Sequence, residues 1–149
     1  MAEKQINRPQ ILSCDLHNDK RGTLTFANKF DMRAVKRFYM ISHPSTKVVR
    51  AWQGHKVEQK WFFVIKGRFH LNLVEPDDWA QPSENLKPEV FDLDSQQPSI
   101  LYVPGGFATG FKALEPESQI MVFSDCSVEE SRKDDYRFDD GLWVDWHNC

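Results

Sequence analysis

The chain has 149 residues, 40% of them apolar, with 11 Phe and 5 Trp, which is enough to bury a core within a single domain spanning residues 1–149. A formal net charge of −3 leaves no basic footprint for nucleic acid, and no apolar run approaches the ~18 residues of a membrane span. Cys14, Cys126 and Cys149 are far apart and form no C-x-x-C pair, which argues against a disulfide framework and a thiolate metal site.

Met1 to Lys4 carry no signal-peptide core, so the cytoplasm is the expected location. Ile11 to Leu16 reads as a first short strand. Asp19-Lys20-Arg21-Gly22 is a turn signal, and Thr23 to Phe26 leaves it as a strand. Val35 to Ile41 is rich in β-forming side chains, and His43-Pro44-Ser45-Thr46 breaks it. Lys47 to Trp52 and Trp61 to Ile65 follow, with Lys66-Gly67 as a hairpin turn. Arg68 to Val74 alternates, with Phe69, Leu71 and Leu73 on one face and His70 and Asn72 on the other. Glu75 to Pro88 is a polar, proline-containing surface excursion. Val90 to Leu93 and Ser99 to Val103 are short strands, and Pro104-Gly105-Gly106 is a sharp turn. Phe107 to Leu114 and Gln119 to Ser124 make the last hairpin. From about Ser127 the chain becomes a charged segment, helix-tolerant to Lys133 and containing Trp143 and Trp146. Many short strands without a long helical period predict an all-β sandwich or barrel.

The stretch from Arg50 to Gly67 concentrates the chemistry. His55 is the best proton-transfer candidate, because imidazole titrates near neutral pH and Arg50, Lys56, Glu58 and Lys60 stand close by in sequence. Arg50, between Val49 and Ala51 in a strand, suits a phosphate or carboxylate. Lys60 opens an apolar strand and is placed to stabilise a developing enolate oxygen. Tyr39 and Tyr102 are expected to line the barrel. Each has a plainer reading: a packing histidine, an internal ion pair, a snorkelling lysine and core tyrosines. Trp52, Trp143 and Trp146 read as core or interface side chains.

The spacing around Gly67 and Pro104 resembles the two short motifs of cupin barrels, a jelly-roll or double-stranded β-helix fold. The cupin metal-ligand positions fall on Gln53, His55, Lys60 and Thr109. Only one of these is a usual ligand and Lys60 would repel a cation, so the resemblance implies a metal-free cupin with no cofactor. Pro104-Gly105-Gly106-Phe107-Ala108-Thr109-Gly110-Phe111 resembles the Pro-x-Gly-Phe-Ala-His-Gly-Phe motif of dTDP-4-dehydrorhamnose 3,5-epimerases, and Arg50-Ala51-Trp52-Gln53 falls on their Arg-Gly-x-His. Lys36-Arg37-Phe38-Tyr39-Met40-Ile41, Arg50 with His55-Lys56, and Asp135-Tyr136-Arg137 resemble motifs of the WxcM-like dTDP-4-keto-6-deoxyhexose 3,4-ketoisomerases.

The resemblance implies a cytoplasmic, homodimeric cupin that isomerises or epimerises a nucleotide-linked 4-keto-6-deoxy sugar for surface polysaccharide. His55 would move a proton through an enediol, Lys60 or Tyr39 would steady the oxyanion, and Arg50 would hold the diphosphate. Gln53, Tyr102 and Thr109 would complete the substrate site. The departures count against an epimerase of the familiar kind. Its catalytic His falls on Gln53, which cannot be a base, and its catalytic Tyr falls near Val122 or Phe123. A cupin that binds such a ligand without turnover is the alternative. A purely structural barrel, with its Trp-rich end as a partner surface, is a third.

Overall fold

Alternation along the strands builds two facing sheets. The computed structural model describes residues 7–149. In chain order the strands are β1 (Gln10–Ser13), β2 (Asp15–Asp19), β3 (Gly22–Phe26), β4 (Arg37–His43), β5 (Val49–His55), β6 (Lys60–Lys66), β7 (Arg68–Val74), β8 (Glu89–Asp94), β9 (Ser99–Val103), β10 (Phe107–Ala113) and β11 (Ser118–Ser124). A short helix α1 (Val128–Arg132) and strand β12 (Tyr136–Arg137) follow, and a 3-10 turn spans Trp146–Asn148. One sheet runs β1-β9-β6-β11-β4 and the other β12-β5-β10-β7-β8, with β2-β3 standing apart as a hairpin. Every pairing is antiparallel. This is the expected all-β, cupin-type jelly roll.

The core lies between the sheets. Phe62 and Val64 from β6, Phe69, Leu71 and Leu73 from β7, Phe111 from β10, and Ile120 and Val122 from β11 meet there. Burying side chains of this size contributes about 1.5–3 kcal/mol each, so this layer outweighs any surface pair. The outer faces are covered as well. Trp52, Val74, Ala108 and Trp146 pack on the back of the second sheet beneath Phe138, Leu142 and Trp143. Trp61, Ile100 and Tyr102 pack on the back of the first, beneath Leu12, Phe30 and Val35.

Several boundaries differ from expectation. The first strand breaks at Cys14, whose N–H donates to the Pro98 carbonyl, so two strands replace one. β4 continues through His43, which is buried rather than a breaker. β5 runs past Trp52 to His55, so the polar half of the Arg50–Gly67 stretch is strand as far as His55 and turn from Lys56 to Gln59. Asn72 is buried because the C-terminal segment covers the face expected to meet water. The same packing corrects the expectation of an outward-facing Trp cluster. Trp146 is buried and Trp143 half-buried, and their indole N–H groups donate to the carbonyls of Asp140 and Ser83.

Candidate functional site

At one end the barrel is unfilled. A cavity of about 480 Å³ opens between the sheets, lined by β4, β5, β6, β10, α1 and β12. A local irregularity sets part of its wall. Thr109 pairs with Gln53 and Phe111 with Arg50, so β5 carries one residue more than β10 over the same span. Such a bulge re-aims side chains on the longer strand. Arg50 and Gln53, three positions apart on β5, accordingly reach the same cavity.

Among the described residues the cavity wall carries Arg37, Arg50, Lys60 and Arg137 and no carboxylate. Arg37 and Arg137 are braced from behind. Arg37 donates to Glu58 at 3.1 Å, and Arg137 donates to Asp135 at 2.9 Å. Arg50 forms no hydrogen bond or ion pair among the described residues, and its side chain is exposed. Lys60 is 4% exposed. Its ammonium lies 3.3 Å from Oε1 of Gln53 and 6.0 Å from the centre of the Tyr39 ring. Gln53 in turn donates to Asp135 at 3.2 Å, which fixes its amide. Burial pulls Lys60 down to about 8, with Glu58 opposing and Arg37 and Arg137 assisting. Burial pushes the Tyr39 phenol up to about 12, with the charge of Glu58 adding to it, so at neutral pH it remains an O–H donor.

Behind this wall Glu58 gathers the local charge. Its Oε1 accepts from Arg37 at 3.1 Å and from Ser124 at 2.5 Å. Its Oε2 accepts from Ser131 at 3.1 Å and from His55 Nδ1 at 2.9 Å. Burial acts to raise the Glu58 carboxyl, but the His55 and Ser124 hydrogen bonds and the Lys60 charge outweigh it and hold the group at about 2. His55 Nδ1 also lies 2.5 Å from the Asp134 carbonyl. Both of its partners are acceptors, so Nδ1 carries a proton. Nε2 is buried without a partner. The Asp134 carboxylate accepts the N–H groups of Lys56, Val57 and Glu58, which clamps the turn between β5 and β6.

The structure therefore brings together Tyr39, Arg50, Gln53, Lys60 and Thr109, all on the cavity wall. It does not bring His55 there. The ring is 3% exposed and held between Glu58 and Asp134. Tyr102 is also elsewhere. It packs against Trp61 on the back of the first sheet, and its hydroxyl donates to Oε1 of Gln59. The reason is period two: Tyr102 and its pairing partner Trp61 point away from the barrel, while Leu101 and Val103 point in. Three hydrophilic wall residues were not singled out as site residues: Arg37, Ser131 and Arg137. The signal for the two arginines was present, because both sit inside motifs that carried the resemblance. Ser131 had none. Among the described residues no group of three or more His, Cys, Asp or Glu side chains is arranged to hold a metal ion.

Known proteins share the architecture. The chain aligns over 97% of its length with the rmlC epimerase of Mycobacterium tuberculosis, at 20% identity, a TM-score of 0.74 and 76% of that protein's chain. The dTDP-4-dehydrorhamnose 3,5-epimerase of Bacillus anthracis aligns over 93% of this chain and 84% of its own, at 20% identity and a TM-score of 0.71. The 3,4-ketoisomerase QdtA of Thermoanaerobacterium thermosaccharolyticum aligns over 90% of both chains, at 18% identity and a TM-score of 0.68. These identities establish a shared fold. No curated protein matches the chain. The family described as WxcM-like, C-terminal matches residues 7–143, and the chain belongs to that family.

Proposed function

We propose that the cavity binds a nucleotide-linked 4-keto-6-deoxyhexose and moves a proton between adjacent ring carbons of that sugar, through an enediolate. The product would serve surface-polysaccharide synthesis in the cytoplasm. One observation carries the reading: a barrel cavity walled by Arg37, Arg50, Lys60 and Arg137 without a carboxylate. A site built this way favours a dianionic diphosphate, and guanidinium groups bind phosphate oxygens in pairs. A mutant of QdtA was solved with TDP-4-keto-6-deoxyglucose and the Bacillus anthracis epimerase with TDP and PPi. Arg50, lacking a protein partner, holds the diphosphate. Tyr39, protonated at neutral pH, donates to the enediolate oxygen. Gln53 and Thr109 contact the sugar.

Calorimetric titration tests the binding half. dTDP should bind and uncharged thymidine should not. Arg50→Ala should weaken dTDP by about 10- to 100-fold, the worth of a charge-assisted hydrogen bond. Equal affinity for dTDP and thymidine would contradict the reading. A second reading, binding without turnover, has a specific support. Gln53 stands where the resembling enzymes carry a histidine, and His55 does not reach the cavity wall.

A further inference from the structure

We propose that Lys60, not a histidine, is the proton-transfer base of this cavity. The assignment rests on the function proposed above. It follows from an inventory of the wall. Arg37, Arg50 and Arg137 stay charged at any working pH and cannot accept a proton. Gln53, Thr109 and Ser131 are not bases, and the other polar side chain, Tyr39, is a donor. The remaining wall side chains are apolar apart from the indole of Trp52, whose N–H donates to the Leu142 carbonyl. Lys60 alone is left, and it is the wall group whose neutral form is within reach at physiological pH.

The surroundings of Lys60 support this use. Arg37 of β4 and Arg137 of β12 repel its charge, Glu58 of the β5–β6 turn and Asp135 beside β12 attract it, and burial dominates the balance. Gln53 Oε1 accepts from the amine at 3.3 Å, which tethers the nitrogen at Gln53 on the cavity wall. His55 then has a different task. Through Nδ1 it ties Glu58 to the Asp134 carbonyl and so holds the carboxylate that braces Arg37.

The chemical step balances without a co-reactant. Neutral Lys60 takes the proton from C3, and the C3–H electron pair becomes the C3=C4 bond while the ketone oxygen at C4 becomes an enediolate. Tyr39 hydrogen-bonds that oxygen. The hydroxyl proton on O3 passes to O4, the ammonium returns its proton to C4, and a ketone is left at C3.

The test follows dTDP-4-keto-6-deoxyglucose by NMR in deuterated water. A primary amine mixes the abstracted proton with two solvent deuterons. Without an isotope effect about one third of turnovers should therefore carry the original proton to C4, and with the usual preference for transferring hydrogen more but never all, whereas a single-proton imidazole can carry all of it. The wild-type rate should rise with pH through about 8 as the ammonium empties. Lys60→Arg keeps the charge but cannot deprotonate, and Lys60→Met removes a buried charge and so should fold. Both should lose exchange by at least about 100-fold, and Lys60→Arg, which keeps the wall charge, should retain dTDP binding. His55→Asn should keep a measurable rate with an unchanged pH midpoint. Exchange by wild type and Lys60→Met alike, or complete carriage of the original proton, would overturn the assignment alone. Neither exchange nor 3-keto product with the wild type would overturn both the assignment and the turnover on which it rests.

Discussion

Glu58 shows how much one side chain can hold. Four donors fill its two oxygens while it is 2% exposed. Glu58→Gln keeps the shape but puts an NH2 group against those donors. Loss of a buried charged partner costs about 3–5 kcal/mol, so urea unfolding should show a loss of that order. Because the folded carboxyl sits near 2 against an ordinary 4.5, its contribution is present above pH 4.5 and fades as pH falls towards 2. His43 acts in a higher window. It is 1% exposed between Phe69 and Phe111, with both ring nitrogens unpartnered. Burial, helped by Arg50, lowers its pKa below the ordinary 6.5. The unfolded chain therefore takes up that proton first, and stability falls as pH drops below 6.5. His43→Phe should remove this part of the acid sensitivity in thermal melts at pH 7 and pH 5; an unchanged pH dependence would count against it. In the sequence, Glu58 was legible as a neighbour able to orient His55, but the fate of His55 was not. Asp134, which completes the clamp, lies far along the chain.

At the scale of elements, β5 decides the site. Its alternation was legible only as far as Trp52, because its second half is polar. Gln53 faces the cavity, Gly54 backs onto Trp79 and Phe138, and His55 is buried against Glu58, so no period-two hydrophobicity shows while the strand continues. The extra β5 residue opposite Thr109–Phe111 could not be read from one strand, since a bulge is a property of a pair. β12 escaped notice for a similar reason: two residues carry no period, and Tyr136 and Arg137 become strand only by pairing with Gly54 and Gln53. The β6–β7 turn was read correctly at Gly67, which has φ 76° and leaves no room for a side chain. An added Cβ would sit 2.0 Å from Oγ of Ser118, whose hydroxyl bonds the Glu115 carbonyl. Gly67→Ala should therefore destabilise the protein by at least about 1 kcal/mol in chemical unfolding.

At the scale of the molecule, the jelly roll was legible because its turns are written in Gly and Pro and its inward strands in large apolar residues. The cover of the second sheet was not, because its C-terminal segment mixes Trp with acids and has no period. One surface remains apolar. Phe38 is 65% exposed and Met40 55% on the edge strand β4, and Leu16 and Leu24 are exposed on the separate β2-β3 hairpin. An unpaired edge with exposed apolar side chains invites a second copy. The expected homodimer should be seen by sedimentation at micromolar concentration, and Phe38→Glu with Met40→Glu should give monomer; a monomeric wild type would contradict it. The central claim is chemical, and isotope exchange reaches it most directly. Wild-type protein, saturated with dTDP-4-keto-6-deoxyglucose in deuterated water, should place deuterium on a ring carbon beside the ketone. Saturated binding with neither deuterium in the sugar ring nor an isomerised ketone would contradict the account and leave a cupin that holds its ligand without transforming it.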